Sequence, residues 1–335
     1  MALLEIQNLR VYYETRHGTA KAVDDVTFSV TSGGTLGLVG ESGCGKTTIA
    51  KAIMRLLPGN GKIAGGKMLF KDRDLVSLTM DKVRRYRWEE IAMISQSAMN
   101  ALNPVARVGH QIIEAMRAHR KVSQAEARVR MAQVFDLVGL NIERARDYPH
   151  QFSGGMKQRA VIAMALLLEP DLIIADEPTT ALDVLVQDQI ILKIKELLSR
   201  LNNAMILITH DIAVVAETCE RMVIMYAGKI MEYADTDAIF YHPYHPYTLG
   251  LQNAFPSVMG ARRELISIPG FPPSLIDPPP GCLFAERCPF AEPLCREQTP
   301  ALEEVEPAHF SACHRASAVE EIRAKSREEG TWYNE

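Results

Sequence analysis

The first 35 residues of the chain alternate between apolar and polar side chains. Apolar residues recur between Leu4 and Val11, and again between Val23 and Val30. A polar turn at residues 16–18 separates the two series. Because successive side chains of a β-strand point to opposite faces of a sheet, this pattern predicts two antiparallel strands joined by that turn.

The pattern changes after this hairpin. Residues 35–39 form a strand-like run, and residues 49–57 form a helix-like run. The segment 79–140 is mainly helical in pattern, apart from a strand-like run at residues 91–94. Helix and strand then alternate over residues 151–228, which is typical of a parallel sheet. We therefore predict an α/β fold, and we find no internal repeat.

The composition changes again beyond about residue 236. Prolines crowd residues 243–280, and neither a regular helix nor a central strand tolerates them. We predict a main domain over residues 1–235 and a small, loop-rich extension over residues 236–335. Residues 316–335 are expected to form one charged helix with a frayed tail.

Bulk composition narrows the class of protein. The 335 residues are 47% hydrophobic and 23% charged, as in globular proteins, and the net charge of −4 gives no reason to expect a nucleic-acid partner. The first ten residues lack the pattern of a signal peptide. No apolar run approaches the roughly 20 residues that span a bilayer. We expect a soluble protein whose membrane role, if it has one, comes through a partner.

Residues 40–47 fit the P-loop pattern G-x-x-x-x-G-K-[ST], between the predicted strand and the predicted helix. Backbone N–H groups of such a loop face phosphate oxygens, and the helix start adds its positive dipole end. Lys46 is predicted to neutralise the β- and γ-phosphates and the Thr47 hydroxyl to bind Mg²⁺. The alternative, an ordinary glycine turn, does not account for both flanking elements. The predicted nucleotide contacts are Gly40, Ser42, Gly43, Cys44, Gly45, Lys46, Thr47 and Thr48.

A second strand end carries two carboxylates. Residues 172–175 are continuously apolar, and Asp176 and Glu177 follow them. Ligands of open α/β sheets bind at the carboxyl ends of strands. We predict that Asp176 serves Mg²⁺ and that Glu177 is the general base or orienting group for the attacking water. A solvated strand end is the alternative.

Two further strand ends carry polar side chains. His210 follows the predicted strand at residues 205–209, and the predicted strand at residues 91–94 leads into Ser95 and Gln96. By position, His210 is predicted to reach the γ-phosphate, although a lone histidine is more often structural. The Gln96 amide is predicted to contact Mg²⁺ and the attacking water.

Ser153, Gly154 and Gly155 precede a helix-like run over residues 160–169. Ser153 fits a helix N-cap, and two glycines leave backbone N–H groups bare, so this is a second candidate anion site. One nucleotide does not need two such sites on one chain. We therefore predict a head-to-tail dimer in which this helix start meets the phosphate held by the partner's P-loop. A plain capped helix is the alternative.

With these residues in place, the chain resembles the nucleotide-binding subunit of ABC transporters over residues 3–228. In the terms of that family, residues 40–47 are the Walker A loop, residues 172–177 are Walker B and Ser153 begins the signature. The resemblance makes Gln96 the Q-loop glutamine, His210 the switch histidine, Asp183 part of the D-loop and Tyr13 the aromatic residue that stacks on adenine. It implies a P-loop ATPase with an antiparallel β subdomain and a helical subdomain at about residues 97–160. Met156 departs from the commoner glutamine at its position, which is not a predicted phosphate contact.

A narrower resemblance extends to about residue 315. Residues 95–96, 101–104, 153–156 and 245–248, with the cysteine-containing tail, are similar to the ATPases of oligopeptide, dipeptide and nickel importers. This implies two integral-membrane permease chains, an extracytoplasmic solute-binding protein, and dimerisation with a paralogous ATPase or with itself. It also implies a peripheral location on the cytoplasmic face of a bacterial or archaeal membrane. The predicted function is ATP-driven import of peptides, with oligosaccharides or nickel as alternative cargo.

The chain has six cysteines, and four of them lie in the tail: Cys282, Cys288, Cys295 and Cys313. A reducing compartment favours metal binding over disulfides. Four thiolates suit a [4Fe–4S] cluster or tetrahedral zinc, and the spacing is standard for neither. The resemblance to importer ATPases implies the cluster. Zinc and unligated or disulfide-bonded cysteines remain alternatives.

Two other classes of protein share part of these motifs. A soluble ABC ATPase that acts on DNA or the ribosome would keep the same core, but no basic stripe stands out. A P-loop kinase would use residues 40–47 and leave Ser153 and His210 without a role.

Overall fold

The computed structural model describes residues 1–95, 101–178, 187, 191–193, 195–196, 202–254, 268–328 and 330–332. The chain divides into two compact units. The first unit comprises Met1–Leu3, Val30–Thr35 and Ser77–Ile208. The second unit comprises Leu4–Ser29, Leu36–Val76 and Thr209–Glu335.

Within the described residues the strands are β1 (Ala2–Thr15), β2 (Gly18–Thr31), β3 (Thr35–Val39), β4 (Gly61–Phe70), β5 (Arg73–Asp74), β6 (Ile91–Ile94), β7 (Leu172–Asp176), β8 (Ala204–Thr209), β9 (Arg221–Tyr226), β10 (Lys229–Asp235), β11 (Glu303–Glu306) and β12 (His309–Ser311). The helices are α1 (Lys46–Ile53), α2 (Met80–Tyr86), α3 (Val108–His119), α4 (Gln124–Leu137), α5 (Gly154–Leu166), α6 (Ile212–Thr218), α7 (Thr236–Tyr241), α8 (Pro246–Asn253), α9 (Pro293–Glu297) and α10 (Val319–Lys325).

The second unit contains the predicted antiparallel hairpin. Strands β2, β1, β4 and β5 are neighbours in that order, and β1 pairs with β4 in antiparallel register. Leu4, Ile6, Leu9 and Val11 of β1 are all fully buried. The alternation of apolar and polar residues therefore arises because one face of this sheet is buried, as predicted.

A second set of strands in the same unit follows the order β11, β12, β10, β9, β3. Strand β3 runs parallel to β9, with Leu36 opposite Arg221, whereas β10 is antiparallel to both β9 and β12. Glu232 of β10 lies opposite Ser311 of β12. The proline-rich extension thus contributes two strands to the sheet that contains β3. The domain boundary at residue 235 stays a prediction.

The first unit carries the parallel strands β8, β7 and β6 and the helices α3 to α5. Ile91 pairs with Leu172, and Leu172 with Ala204, in two parallel ladders. Arg130 donates from Nε and Nη2 to the carbonyl oxygens of Leu167 and Leu166, at 2.9 and 3.0 Å, where α5 ends. A cation at the carbonyl end of a helix satisfies its last acceptors and opposes the negative end of its dipole, so α4 holds α5 in place.

The C-terminal segment differs from its expected frayed helix. Helix α10 has seven residues, and Trp332 beyond it is 2% exposed. The indole Nε1 of Trp332 donates to the carbonyl oxygen of Ser326 at 2.9 Å, and its ring meets Phe290 edge-on. A large aromatic side chain that finds both an apolar neighbour and an acceptor anchors the end of the chain.

Candidate functional site

Two glycines of the loop between β3 and α1 have a left-handed backbone. Gly43 and Gly45 have φ values of +81° and +106°. A side chain is strained in this left-handed region. At Gly45 a Cβ atom would in addition collide with the carbonyl oxygen of Ala22, whereas the space beside Gly43 is open. Glycine is thus needed at both positions, and at Gly45 for two reasons.

Helix α1 starts without a side-chain cap. Its N-cap is Gly45, which has no side chain to cap the helix, and the first turn holds no acidic residue. The Lys46 ammonium is 5% exposed and donates to the carbonyl oxygens of Gly40 and Glu41, at 2.6 and 2.9 Å. An uncapped helix start beside a buried ammonium is a concentrated positive region. These residues fit a phosphate group.

The other loop residues vary in exposure. Ser42 and Gly43 are exposed, Thr47 and Thr48 are half-buried, and Cys44 is buried. Burial raises the pKa of the Cys44 thiol, so it stays neutral and adds no negative charge to the loop. The Tyr13 hydroxyl lies 3.3 Å from the Thr48 hydroxyl, which places the tyrosine of β1 against α1.

Strand β7 ends in the two predicted carboxylates. Asp176 is its last residue and is 2% exposed. Glu177 is half-buried, has a φ of +47°, and donates its N–H to the carbonyl oxygen of Ile208 at 2.8 Å. A non-glycine residue in this region stores strain of about 1–3 kcal/mol, and such residues cluster at functional sites. Carboxylate and hydroxyl oxygens, as on Asp176 and Thr47, are the ligand types that Mg²⁺ accepts.

His210 and Ser153 lie at the starts of helices. His210 is exposed and is followed by Asp211, whose Oδ1 accepts from the N–H groups of Ala213 and Val214 at 2.9 and 3.3 Å. Asp211 is thus the N-cap of α6, a role that its position before a helical run indicates. The Ser153 hydroxyl accepts from the Met156 N–H at 3.3 Å, so its predicted N-cap role is confirmed.

The candidate residues are divided between the two units. Tyr13, His210 and the P-loop residues belong to the second unit. Asp176, Glu177, Ser153, Gly154 and Gly155 belong to the first. Gln96 and Asp183 lie outside the described residues.

Sequence reasoning missed two residues that contact the P-loop. Tyr247 and Arg287 both bond Glu41, and Arg287 lies 246 positions away from it in the chain. No local pattern links residues so far apart. The sequence signal for Tyr247 is the resemblance of residues 245–248 to importer ATPases, which assigns no contact to that residue.

A family model described as ABC transporter matches residues 23–180, and one described as oligopeptide/dipeptide transporter, C-terminal region, matches residues 231–295. A probable peptide ABC transporter ATP-binding protein, y4tR, of Sinorhizobium fredii is 47% identical over 95% of this chain and 96% of its own. The chain belongs to the ABC transporter ATP-binding family. The oligopeptide transport ATP-binding protein OppD of Escherichia coli is 46% identical over 96% of this chain and 95% of its own.

Solved structures agree with this family membership. An ABC transporter cassette, MJ0796, solved as a dimer, is 26% identical and superposes with a TM-score of 0.63 over 70% of this chain and 98% of its own. In its fold the chain is thus a P-loop ABC ATPase. Across the part of the chain that the structure describes, no helix is both long and apolar enough to cross a membrane.

The predicted iron–sulfur cluster is wrong. Cys282, Cys288, Cys295 and Cys313 border one apolar pocket, yet the described residues contain no group of three or more His, Cys, Asp or Glu side chains placed to hold a metal ion. Burial raises the pKa of Cys282 and Cys288, and that of Cys313 to about 12. Burial thus favours the protonated thiols of Cys282, Cys288 and Cys313, whereas metal ligands are thiolates. The same absence of a metal-holding group among the described residues leaves the zinc alternative unsupported.

Proposed function

We propose that this ABC ATPase hydrolyses ATP to energise a multi-subunit importer of peptides. The observation that carries the proposal is that the chain is similar to peptide-transport ATP-binding proteins along nearly its whole length. Peptide-transport ATP-binding proteins of two bacteria match 95–96% of the chain, and the extension has its own match to the oligopeptide/dipeptide transporter C-terminal region. Oligosaccharides and nickel are the alternative cargoes. A soluble ABC ATPase without a transport role is the alternative from another class.

In this proposal the P-loop binds the triphosphate. The uncapped N–H groups of α1 and the Lys46 ammonium offset its charge, and the Tyr13 ring stacks on adenine. Thr47, Asp176 and Gln96 are assigned to Mg²⁺, which supplies neutralisation of phosphate charge when it is bound.

Glu177 is assigned to the attacking water. Its carboxylate would accept a proton from the water, and His210 would contact the γ-phosphate. Ser153, Gly154 and Gly155 would meet the phosphate bound by a partner ATPase, either a second copy or a paralogue, and Asp183 would lie in the same interface. Closure and reopening of this dimer would drive two permease chains at the cytoplasmic face of the membrane, with a solute-binding protein on the other side.

Co-purification tests this function. The N-terminally tagged chain is purified from membranes solubilised in mild detergent, and the accompanying proteins are identified. We expect two integral-membrane chains, and we expect peptides to stimulate ATP hydrolysis by the complex more than oligosaccharides or nickel do. The Lys46→Ala variant is the control, because it should assemble but not bind MgATP. Recovery of the chain alone, or with ribosomes or DNA, would contradict the transport function.

A further inference from the structure

Two groups from the region beyond residue 245 hold one residue of the P-loop. The hydroxyl of Tyr247 accepts a hydrogen bond from the backbone N–H of Glu41 at 3.0 Å. Nη1 of Arg287 donates to Oε2 of Glu41 at 2.8 Å. Glu41 follows the first glycine of the loop, and its carbonyl oxygen accepts from the Lys46 ammonium. Its backbone and its side chain are thus both fixed from outside the loop.

Arg287 is itself firmly held. Nε donates to the carbonyl oxygen of Pro269 at 2.8 Å, and Nη2 donates to that of Ile268 at 3.1 Å. Nη1 also reaches the hydroxyl of Tyr226 at 3.1 Å. The side chain of Arg287 is 8% exposed and that of Glu41 is 26% exposed. A guanidinium fixed at three other points is a preorganised partner, so the position of the arginine determines where the carboxylate lies.

Tyr247 is equally well placed. It is fully buried, and its ring packs 4.8 Å from that of Tyr226 and 5.2 Å from that of Phe284. Its own N–H donates to Nδ1 of His245, which caps α8. Burial raises the pKa of Tyr247, so the hydroxyl stays neutral. The segment 245–248 thus carries a rigid hydrogen-bond acceptor for the loop.

The carboxylate of Glu41 places a negative charge in a loop that is proposed to bind phosphate. A loop that binds a triphosphate gains from positive charge, and an ionised carboxylate within it repels the phosphates. The guanidinium of Arg287 offers that carboxylate a fixed cationic partner through Nη1. The ion pair both neutralises Glu41 and determines its direction.

We propose that Arg287 and Tyr247 are positioning residues for nucleotide binding, through which the C-terminal extension holds Glu41 and keeps its carboxylate from the phosphates. This role rests on the proposed function of the P-loop. Through these two residues the extension would support ATP binding, in addition to contributing β11 and β12 to the sheet. Neither residue touches the nucleotide in this proposal.

Affinity for MgATP, measured on the full-length chain by equilibrium binding, tests the proposal. Arg287→Met leaves the Glu41 carboxylate unpaired, and we expect binding to weaken about tenfold. In the double variant Arg287→Met with Glu41→Gln the repelling charge is gone, and we expect the affinity to return to within about threefold of wild type. Thermal unfolding is followed in parallel. A merely structural arginine would not be rescued by Glu41→Gln.

Arg323 offers a matched control within the extension. It donates to two backbone carbonyls, of Pro243 and His242, and pairs with the carboxylate of Glu320, which is the same pattern of partners. Arg323→Met should therefore cost stability without changing the affinity for MgATP.

Tyr247→Phe provides a second test that does not depend on Arg287. It keeps the packed ring and removes only the acceptor for the Glu41 N–H, so we expect MgATP binding to weaken by about threefold. Unchanged binding in Tyr247→Phe, or equal losses in Arg287→Met and the double variant, would overturn the proposal. A wild-type chain that binds no MgATP would instead overturn the proposed function.

Discussion

His245 shows how burial decides the charge of a single residue. It is 1% exposed, and its Nδ1 accepts the N–H of Tyr247 at 3.0 Å. Burial lowers the pKa of His245 to about 3, so the folded protein keeps it neutral. In the unfolded chain a histidine titrates near pH 6.5. Below that pH the unfolded state takes up a proton that the folded state does not, and the free energy of unfolding falls.

We predict that His245→Asn removes this part of the pH dependence. Asparagine is a good N-cap and does not titrate. Between pH 7.5 and 5.5, His245 should lower the free energy of unfolding of the wild type by about 1.4 kcal/mol, and the variant should lack this loss. Urea unfolding at the two pH values measures the difference. His110→Asn, at an exposed position, is the control, and equal pH dependence in wild type and His245→Asn would contradict the prediction.

At the scale of elements, the turn into α1 combines two constraints. Gly45 needs a left-handed backbone and lies against the carbonyl oxygen of Ala22 in β2. Gly43 needs the left-handed backbone alone, because nothing lies within 4 Å of its would-be Cβ. The P-loop pattern requires a glycine at position 45 and leaves position 43 open. The packing of β2 against the loop adds a second constraint at position 45 alone.

We expect Gly45→Ala to destabilise the protein more than Gly43→Ala. The strain of a left-handed alanine costs about 1–2 kcal/mol at either position. The collision with the Ala22 carbonyl should bring the total for Gly45→Ala to about 3 kcal/mol or more, because backbone has to move. Denaturant unfolding of both variants measures this. Equal losses of unfolding free energy in the two variants would contradict this prediction, because they would show that β2 moves away from the alanine at little cost.

The bounds of the parallel strands β6, β7 and β8 are well predicted by the sequence. The predicted strand at residues 91–94 has the bounds of β6, and the runs at 172–175 and 205–209 each fall short of β7 and β8 by one residue. Continuous apolar runs identify strands buried on both faces, and the polar residue that follows marks the end of each strand. Helix α5 begins at Gly154, directly after the predicted cap at Ser153.

At the scale of the whole molecule, the proposed role of Glu177 predicts a change of assembly. Glu177→Gln removes the proton acceptor and keeps the size of the side chain. We expect ATP hydrolysis to fall by about 100-fold or more, MgATP binding to persist, and a closed dimer to accumulate. Gel filtration with and without MgATP and a turnover assay measure these effects. Lys46→Ala should stay monomeric under the same conditions, and unchanged turnover in Glu177→Gln would contradict the role.

The extension shows where sequence reasoning failed. Proline content and clustered cysteines suggested a small appendage around a metal. In the structure β12 pairs with β10, and the fully buried Glu232 accepts from the N–H of Tyr244 at 2.6 Å and from Nε2 of His309 at 2.7 Å. A buried carboxylate is stabilised only when such partners satisfy it. These bonds tie the extension to the sheet without a metal ion.

The sequence by itself determined the P-loop, the strand ends with Asp176 and Glu177, and the cap at Ser153. Each follows from a few neighbouring residues, because backbone conformation, periodic burial and capping are local properties. Only the tertiary structure decided that Arg287 and Tyr247 hold Glu41, that β12 extends the sheet, and that burial raises the pKa of the thiols of Cys282, Cys288 and Cys313. These depend on which distant residues packing brings together and how much water it removes, and no local pattern encodes either.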